Sequence, residues 1–446
     1  MESQLSNKRP FGFYVCSIAF TFERFAFYSA KWLMTVFVAA SIATGGLGLS
    51  TEQAAQMSSY LVAFTYLLPL FGAYISDYWI GARYLVPVGM VLMGAGYLVG
   101  WQATDATMVY IMIALVSIGT GLFKPQTNAI TGRLFADKTQ LDSAFSTQYS
   151  FVNIGSFIGT TIIGVLALRY GYQICFLICA VVMFINAVWF IAGWKHLGVA
   201  GKQPFKVNEL ADGTEEKDAE KKPLTPLEKK RVAAIILVSA FSIVFWVFWY
   251  LAYMPVYFHW GGENPAANWM IGGFEVPTAW FDSLNALSCI VLGPLLGAIW
   301  YRRAQSPKGD WTMFQKTGLG MMLLGLSYVI FALADITRGT AQASLLWIVA
   351  FGIVLSLGEM VFSPLGNSFI TKFSPPKLLS MMMSVWVVAI FFAGLSYGKL
   401  YAFTLNFPFA PTYLVIAGIA IACGVIIWLM NGKLVGLVRE EEKEDI

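Results

Sequence analysis

Glu215-Glu-Lys-Asp-Ala-Glu-Lys-Lys-Pro223 interrupts a chain that is otherwise almost continuously apolar. With Lys202-Gln-Pro-Phe-Lys206 just before it, this run marks residues 195–231 as a soluble, charged linker. Six long apolar segments precede it, near residues 11–40, 54–77, 84–102, 107–135, 142–168 and 172–194. Six more follow, near 232–258, 278–300, 313–334, 342–371, 378–403 and 411–431. Each is close to the roughly 20 apolar residues that span a bilayer, and the longer ones are expected to tilt or bend. The pattern predicts an all-α membrane protein with 12 transmembrane helices in two six-helix halves. The predicted divisions are an N-terminal bundle over 1–196, the linker over 197–231, a C-terminal bundle over 232–438 and an acidic tail over 439–446.

Composition supports this class. A 446-residue chain that is 58% hydrophobic, 16% aromatic and only 12% charged is too apolar for a soluble globular protein. The N-terminus runs from Lys8 and Arg9 into a first segment too long for a signal-peptide core, so that segment is expected to remain as an anchor. With the N-terminus placed in the cytoplasm, only Arg169 and Arg338 of the 29 Lys and Arg fall outside, while Arg24, Lys31, Lys124 and Lys399 lie within helices. The positive-inside rule then predicts both termini in the cytoplasm. The Gly- and Pro-rich stretch 259–277 reads as an external loop. Short loops suggest a bacterial inner (plasma) membrane, with a multi-pass chain acting as a monomeric unit in the bilayer.

Several function classes drop out. The cysteines (Cys16, Cys175, Cys179, Cys289, Cys423) all lie in apolar segments and the two histidines, His196 and His259, sit apart, so neither a disulfide framework nor a metal site is expected. No nucleophile is paired with a base, which argues against an enzyme. No cofactor and no nucleic-acid partner are expected.

The charges inside the helices carry the functional reading. An ionised side chain near a bilayer centre costs roughly 3 kcal/mol or more on insertion scales, so intramembrane charges usually mark a pathway or binding site. Glu23, Arg24 and Lys31 lie deep in the first segment, and helical periodicity places Arg24, Tyr28 and Lys31 on one narrow face. Lys124 lies mid-segment in Gly119-Thr-Gly-Leu-Phe-Lys-Pro125, too far from the headgroups to snorkel. Asn153, Tyr149 and Tyr66 could complete a polar lining. The second half carries the opposite sign, in Glu359 and Asp282. Ser363-Pro364 follows Glu359 by a turn and reads as an interrupted half-helix and gate, since freed backbone groups need a neighbour or cavity water. Asp77 and Arg83 flank the 78–83 loop and could pair in one conformational state and part in another. Cations in one half and acids in the other suit a zwitterion, whose carboxylate and ammonium would each leave a costly unpaired charge if lost.

The residues also resemble a known family. Gly72-Ala-Tyr-Ile-Ser-Asp77-Tyr-Trp-Ile-Gly81-Ala-Arg83 is similar to the loop signature of major facilitators, with Tyr78 and Ala82 in place of two arginines. The stretch Phe20-Thr-Phe-Glu23-Arg24-Phe25-Ala-Phe27-Tyr28-Ser-Ala-Lys31 resembles E-x-x-E-R-F-x-Y-Y-G-x-R of the proton-dependent oligopeptide transporters. Similar family text recurs at Tyr66-Leu-Leu-Pro69, Gly119 to Pro125, Asn153-Ile-Gly155, Phe281-Asp-Ser-Leu-Asn285, and Glu359 followed by Ser363-Pro364-Leu-Gly-Asn-Ser-Phe-Ile-Thr-Lys372.

The resemblance implies a major facilitator fold that imports di- and tripeptides with protons. It implies that Lys31 and Lys124 receive the peptide C-terminus, that Glu359 and Asn153 hold the N-terminus, and that Tyr28, Tyr66, Asn285 and Ser363 line the pocket. Two family acids are absent, since Phe20 and Tyr250 stand in their places, and Lys31 replaces an arginine fork by a point charge. Asp282 stands where relatives usually carry glutamine. Proton coupling is therefore expected to run through Glu23, Arg24 and Asp282. Competing expectations are a carrier of another small anion or zwitterion, such as nitrate or a modified amino acid, and, more distantly, a solute-binding receptor without net transport.

Overall fold

The computed structural model describes residues 9–135, 140–206, 224–307, 309–375 and 378–438. Each apolar segment of the sequence is a helix. The first six are α1 (Phe11–Ala39), α2 (Thr51–Tyr78), α3 (Ala82–Trp101), α4 (Ala106–Arg133), α5 (Leu141–Tyr170) and α6 (Tyr172–Ala192). After the linker come α7 (Pro226–Leu251), α8 (Trp280–Ala304), α9 (Met313–Arg338), α10 (Leu345–Phe373), α11 (Leu379–Thr404), α12 (Phe409–Leu429) and a short α13 (Asn431–Val438) that the apolar pattern does not mark. Among the described residues, 11 helices are long and apolar enough to cross a membrane. Helix α1 is as long, at 29 residues, but carries Glu23, Arg24 and Lys31 in its interior.

Local chemistry sets the helix starts. Thr225 and Glu228 form a reciprocal capping box, with Pro226 in the first turn of α7. Thr312 and Gln315 do the same for α9, and Asp105 accepts from the Met108 N–H at 3.1 Å to start α4. Beyond Leu251, α7 continues through a short turn into a π-helical turn, Val256–Trp260. The loop that follows is less irregular than its composition suggests. It holds two-residue strands β1 (Ala267–Asn268), β2 (Met270–Ile271) and β3 (Phe274–Glu275), and β1 pairs with β4 (Ala343–Ser344). Gly272 and Gly273 both take positive φ, which is what permits the tight β2–β3 hairpin.

The chain divides into two compact units. One comprises the chain up to Met34 and from Phe64 to the linker; the other comprises Thr35–Ala63 and the rest. In the first, glycines let backbones approach. A methyl group at Gly89 would meet the Gly119 carbonyl at 2.5 Å, bringing α3 and α4 together, and one at Gly155 would collide with the Thr21 carbonyl, where α5 lies on α1. In the second, Gly318 and Gly424 play the same part between α9 and α12. There the Ser59 hydroxyl also donates to the Gly394 carbonyl at 2.5 Å, and the Tyr397 hydroxyl bonds that of Ser58 at 2.9 Å.

One expectation needs correction. Helix α10 runs unbroken from Leu345 to Phe373, so the interruption expected at Pro364 is not a break in the helix; the Pro364 side chain lies outside the described residues. The first residues of the linker are ordered. Residues 197–206 fold over the beginning of α3, where the buried Arg83 donates to the carbonyls of Gly198 at 2.7 Å and Ala200 at 2.9 Å. The rest of the charged run, 207–223, and the acidic tail lie outside the described residues.

Candidate functional site

In the first unit the intramembrane charges sit among rings. Glu23 is fully buried and accepts from both the Nε and Nη2 of Arg24, a side-on pairing of adjacent residues. The Arg24 guanidinium also lies over Phe27, 4.6 Å from the ring centroid, and over Tyr28 at 5.5 Å. Lys31 Nζ lies 5.4 Å from the Tyr28 ring. One phenol thus bridges two cations, as the helical face predicts. On the neighbouring elements, Lys124 Nζ lies 5.2 Å from the Tyr66 ring. The close approach of α2 and α4 at Gly72 and Gly121 brings these two residues together. Cation–π contacts of this kind contribute about 0.5–2 kcal/mol, more as water is excluded. An aromatic face attracts an ammonium through its quadrupole and brings no counter-charge of its own.

Asn153 is buried and donates through Nδ2 to the Tyr149 carbonyl at 3.0 Å, one turn back along α5, leaving its amide oxygen as an acceptor. Tyr149 is among the exposed aromatics. Phe20 is buried and meets Phe123 edge-on at 5.0 Å. An aromatic contact therefore occupies the place of the absent acid. Asp77 ends α2 half-buried, and Arg83 spends its donors on backbone carbonyls of the linker, as described above.

In the second unit Glu359 and Asp282 accept hydrogen bonds from neutral donors. Glu359 Oε2 accepts from Asn285 Nδ2 at 2.7 Å, and the same amide nitrogen donates to the Ser356 hydroxyl at 3.0 Å. Cys289 Sγ lies 4.0 Å from that carboxylate oxygen. Glu359 is 9% exposed, a carboxylate largely removed from water among hydrogen-bonding neighbours. Ser363 stands one turn beyond it, half-buried. Asp282 Oδ2 accepts from the Tyr257 hydroxyl at 2.6 Å, and both residues are buried. Tyr250 packs among Trp246, Trp249 and Tyr397, with ring centroids 5.2–5.8 Å away.

Sequence reasoning missed Tyr257, Ser356 and Cys289. Ser356 was accessible, since it lies three residues before Glu359 and so shares its helix face. Cys289, four residues after Asn285, could be found in the same way. Tyr257 carried no such signal, because nothing distinguishes it from the other aromatics of α7 until the π-helical turn places it beside Asp282.

Comparison with known proteins gives one answer. The Major Facilitator Superfamily sequence profile matches residues 18–335. A dipeptide and tripeptide permease B of Edwardsiella piscicida is 25% identical over 441 residues, covering 89% of this chain and 87% of the relative. A peptide transporter of Yersinia enterocolitica is 24% identical, covering 84% of each chain. Among solved structures, a peptide transporter POT in complex with sulfate superposes with a TM-score of 0.87 at 24% identity, covering 97% of this chain and 96% of that one. A POT family transporter in complex with 5-aminolevulinic acid gives 0.85 at 23%, covering 95% and 97%. The chain belongs to the Major Facilitator Superfamily, and the relatives it matches along most of its length include peptide transporters.

Proposed function

We propose that the chain is a secondary transporter that imports di- and tripeptides, or peptide-like zwitterions, by alternating access, with the proton as coupling ion and no other cofactor. The observation that carries this reading is Glu359, a carboxylate buried deep in an apolar helix and oriented by the Asn285 amide, which also bonds Ser356. A substrate ammonium would pair with this carboxylate. Lys31 and Lys124, held over Tyr28 and Tyr66, would draw the carboxylate, and the free acceptor of Asn153 suits the ammonium end. Tyr149, Asn285 and Ser363 would complete the lining. Glu23 with Arg24, and Asp282 with Tyr257, are the candidate proton carriers, and Asp77 and Arg83 the candidate gate. Relatives described as dipeptide and tripeptide permeases support the substrate class. In this reading the protein is not an enzyme, spans a plasma membrane 12 times with both termini in the cytoplasm, and works as a single chain.

The test is a competition panel against uptake of a labelled dipeptide by the purified protein in proteoliposomes. Di- and tripeptides with free ends should compete. N-acetylated and C-amidated dipeptides, each lacking one charge, should fail. Competition by nitrate with none by dipeptides would replace the peptide reading with an anion carrier. A solved relative bound to 5-aminolevulinic acid places ω-amino acids in the same panel.

A further inference from the structure

One face of the first unit is apolar along its length and cationic at one end. Helices α3 and α6 pack together, yet Val88, Val91, Ile185 and Val188 remain 46–68% exposed. Where α3 begins and α6 ends, the side chains change character. Tyr84 and Trp194 meet edge-on with ring centroids 5.5 Å apart, and Trp79 is 67% exposed. Segment 193–206 supplies exposed Lys195 and Lys202 and contains no Asp or Glu. It is fixed rather than loose, because the Arg83 N–H donates to the Gly201 carbonyl at 3.0 Å in addition to the two carbonyls its guanidinium holds.

We propose that this corner is a binding site for the headgroup of an anionic phospholipid. Lys195 and Lys202 attract the phosphate, and Trp79 and Tyr84 sit at the glycerol level. The acyl chains then lie along the exposed valines and isoleucine of α3 and α6. Charge and shape together favour a lipid. A free phosphate would use the cations but not the apolar stripe that runs into them, and an apolar partner would leave the lysines without counter-charge. Aromatic side chains favour the headgroup level, and each lysine near an anionic surface contributes a preference of about fivefold.

The experiment uses the full chain in phosphatidylcholine nanodiscs doped with phosphatidylglycerol, with bound lipids counted by native mass spectrometry. The expected result is selective retention of phosphatidylglycerol, reduced about tenfold or more in Lys195→Gln/Lys202→Gln. It should be unchanged in Lys229→Gln/Lys230→Gln, a matched charge removal at exposed positions on α7. Equal losses in both double variants would mean that general surface charge holds the lipid and would overturn the site. So would no loss in either. Inorganic phosphate is the remaining arm: displacement of the lipid by millimolar phosphate alone would reassign the corner to a free anion.

Discussion

In the proposed binding mode recognition turns on Glu359 and Lys31, and they make different demands. Removing one partner of a buried charge pair costs about 3 kcal/mol, roughly a hundredfold in affinity. Glu359→Gln keeps the size of the side chain, so it should weaken dipeptide binding about that much while leaving the already poor binding of N-acetyl dipeptides unchanged. Competition binding on the purified variant checks this, and equal losses for both ligands would mean that Glu359 merely supports the fold. Lys31→Arg should do the reverse for the carboxylate end: a planar fork offers two parallel hydrogen bonds, so affinity for free-acid peptides should rise relative to C-amides. The charges themselves were legible in the sequence, because an ion in apolar text has few bland explanations. Their neutral partners were not. Tyr257 finds Asp282 across 25 positions, and no local spacing connects a phenol to a carboxylate that far away.

Helices were legible as elements, since runs of apolar residues between caps are long and unambiguous, whereas contacts between helices depend on which glycine faces which backbone. Gly155 illustrates the difference. Its place beside Asn153 could be read from the sequence, but not that its α-carbon lies against the Thr21 carbonyl of α1. Gly155→Ala should therefore destabilise the protein by about 1–3 kcal/mol through overpacking, despite the better helix propensity of alanine. Gly418 on α12 has nothing within 4 Å of an added methyl group, so Gly418→Ala should be neutral or stabilising by up to about 1 kcal/mol. Thermal unfolding of the two variants in the same detergent compares them directly, and a shared sign would refute the packing argument. The loop 259–277 and α13 were illegible for another reason. Two-residue strands and an eight-residue helix are too short to impose a period on the sequence.

For the whole molecule, the open problem is how a chain without two of its family's acids would be driven by protons. Phe20 in the first unit meets Phe123, and Tyr250 in the second is enclosed by Trp246, Trp249 and Tyr397. A phenyl ring has no titratable proton and a phenol ordinarily titrates far above neutral pH, so in the proposed mechanism coupling would run through the acids that remain. Of the two proposed carriers, Glu23 is bonded to the Arg24 guanidinium, so removing it would strand a buried cation, whereas Asp282 accepts from the neutral Tyr257 hydroxyl, which makes Asp282 the carrier whose removal tests coupling. An inward proton gradient should then accelerate dipeptide uptake by the native protein in proteoliposomes. Asp282→Asn should lose that acceleration while keeping exchange of labelled for unlabelled dipeptide, which needs the binding site and the conformational cycle but no net proton movement. Loss of exchange as well would make Asp282 a structural or binding residue, and gradient-independent uptake by the native protein would remove proton coupling from the mechanism altogether.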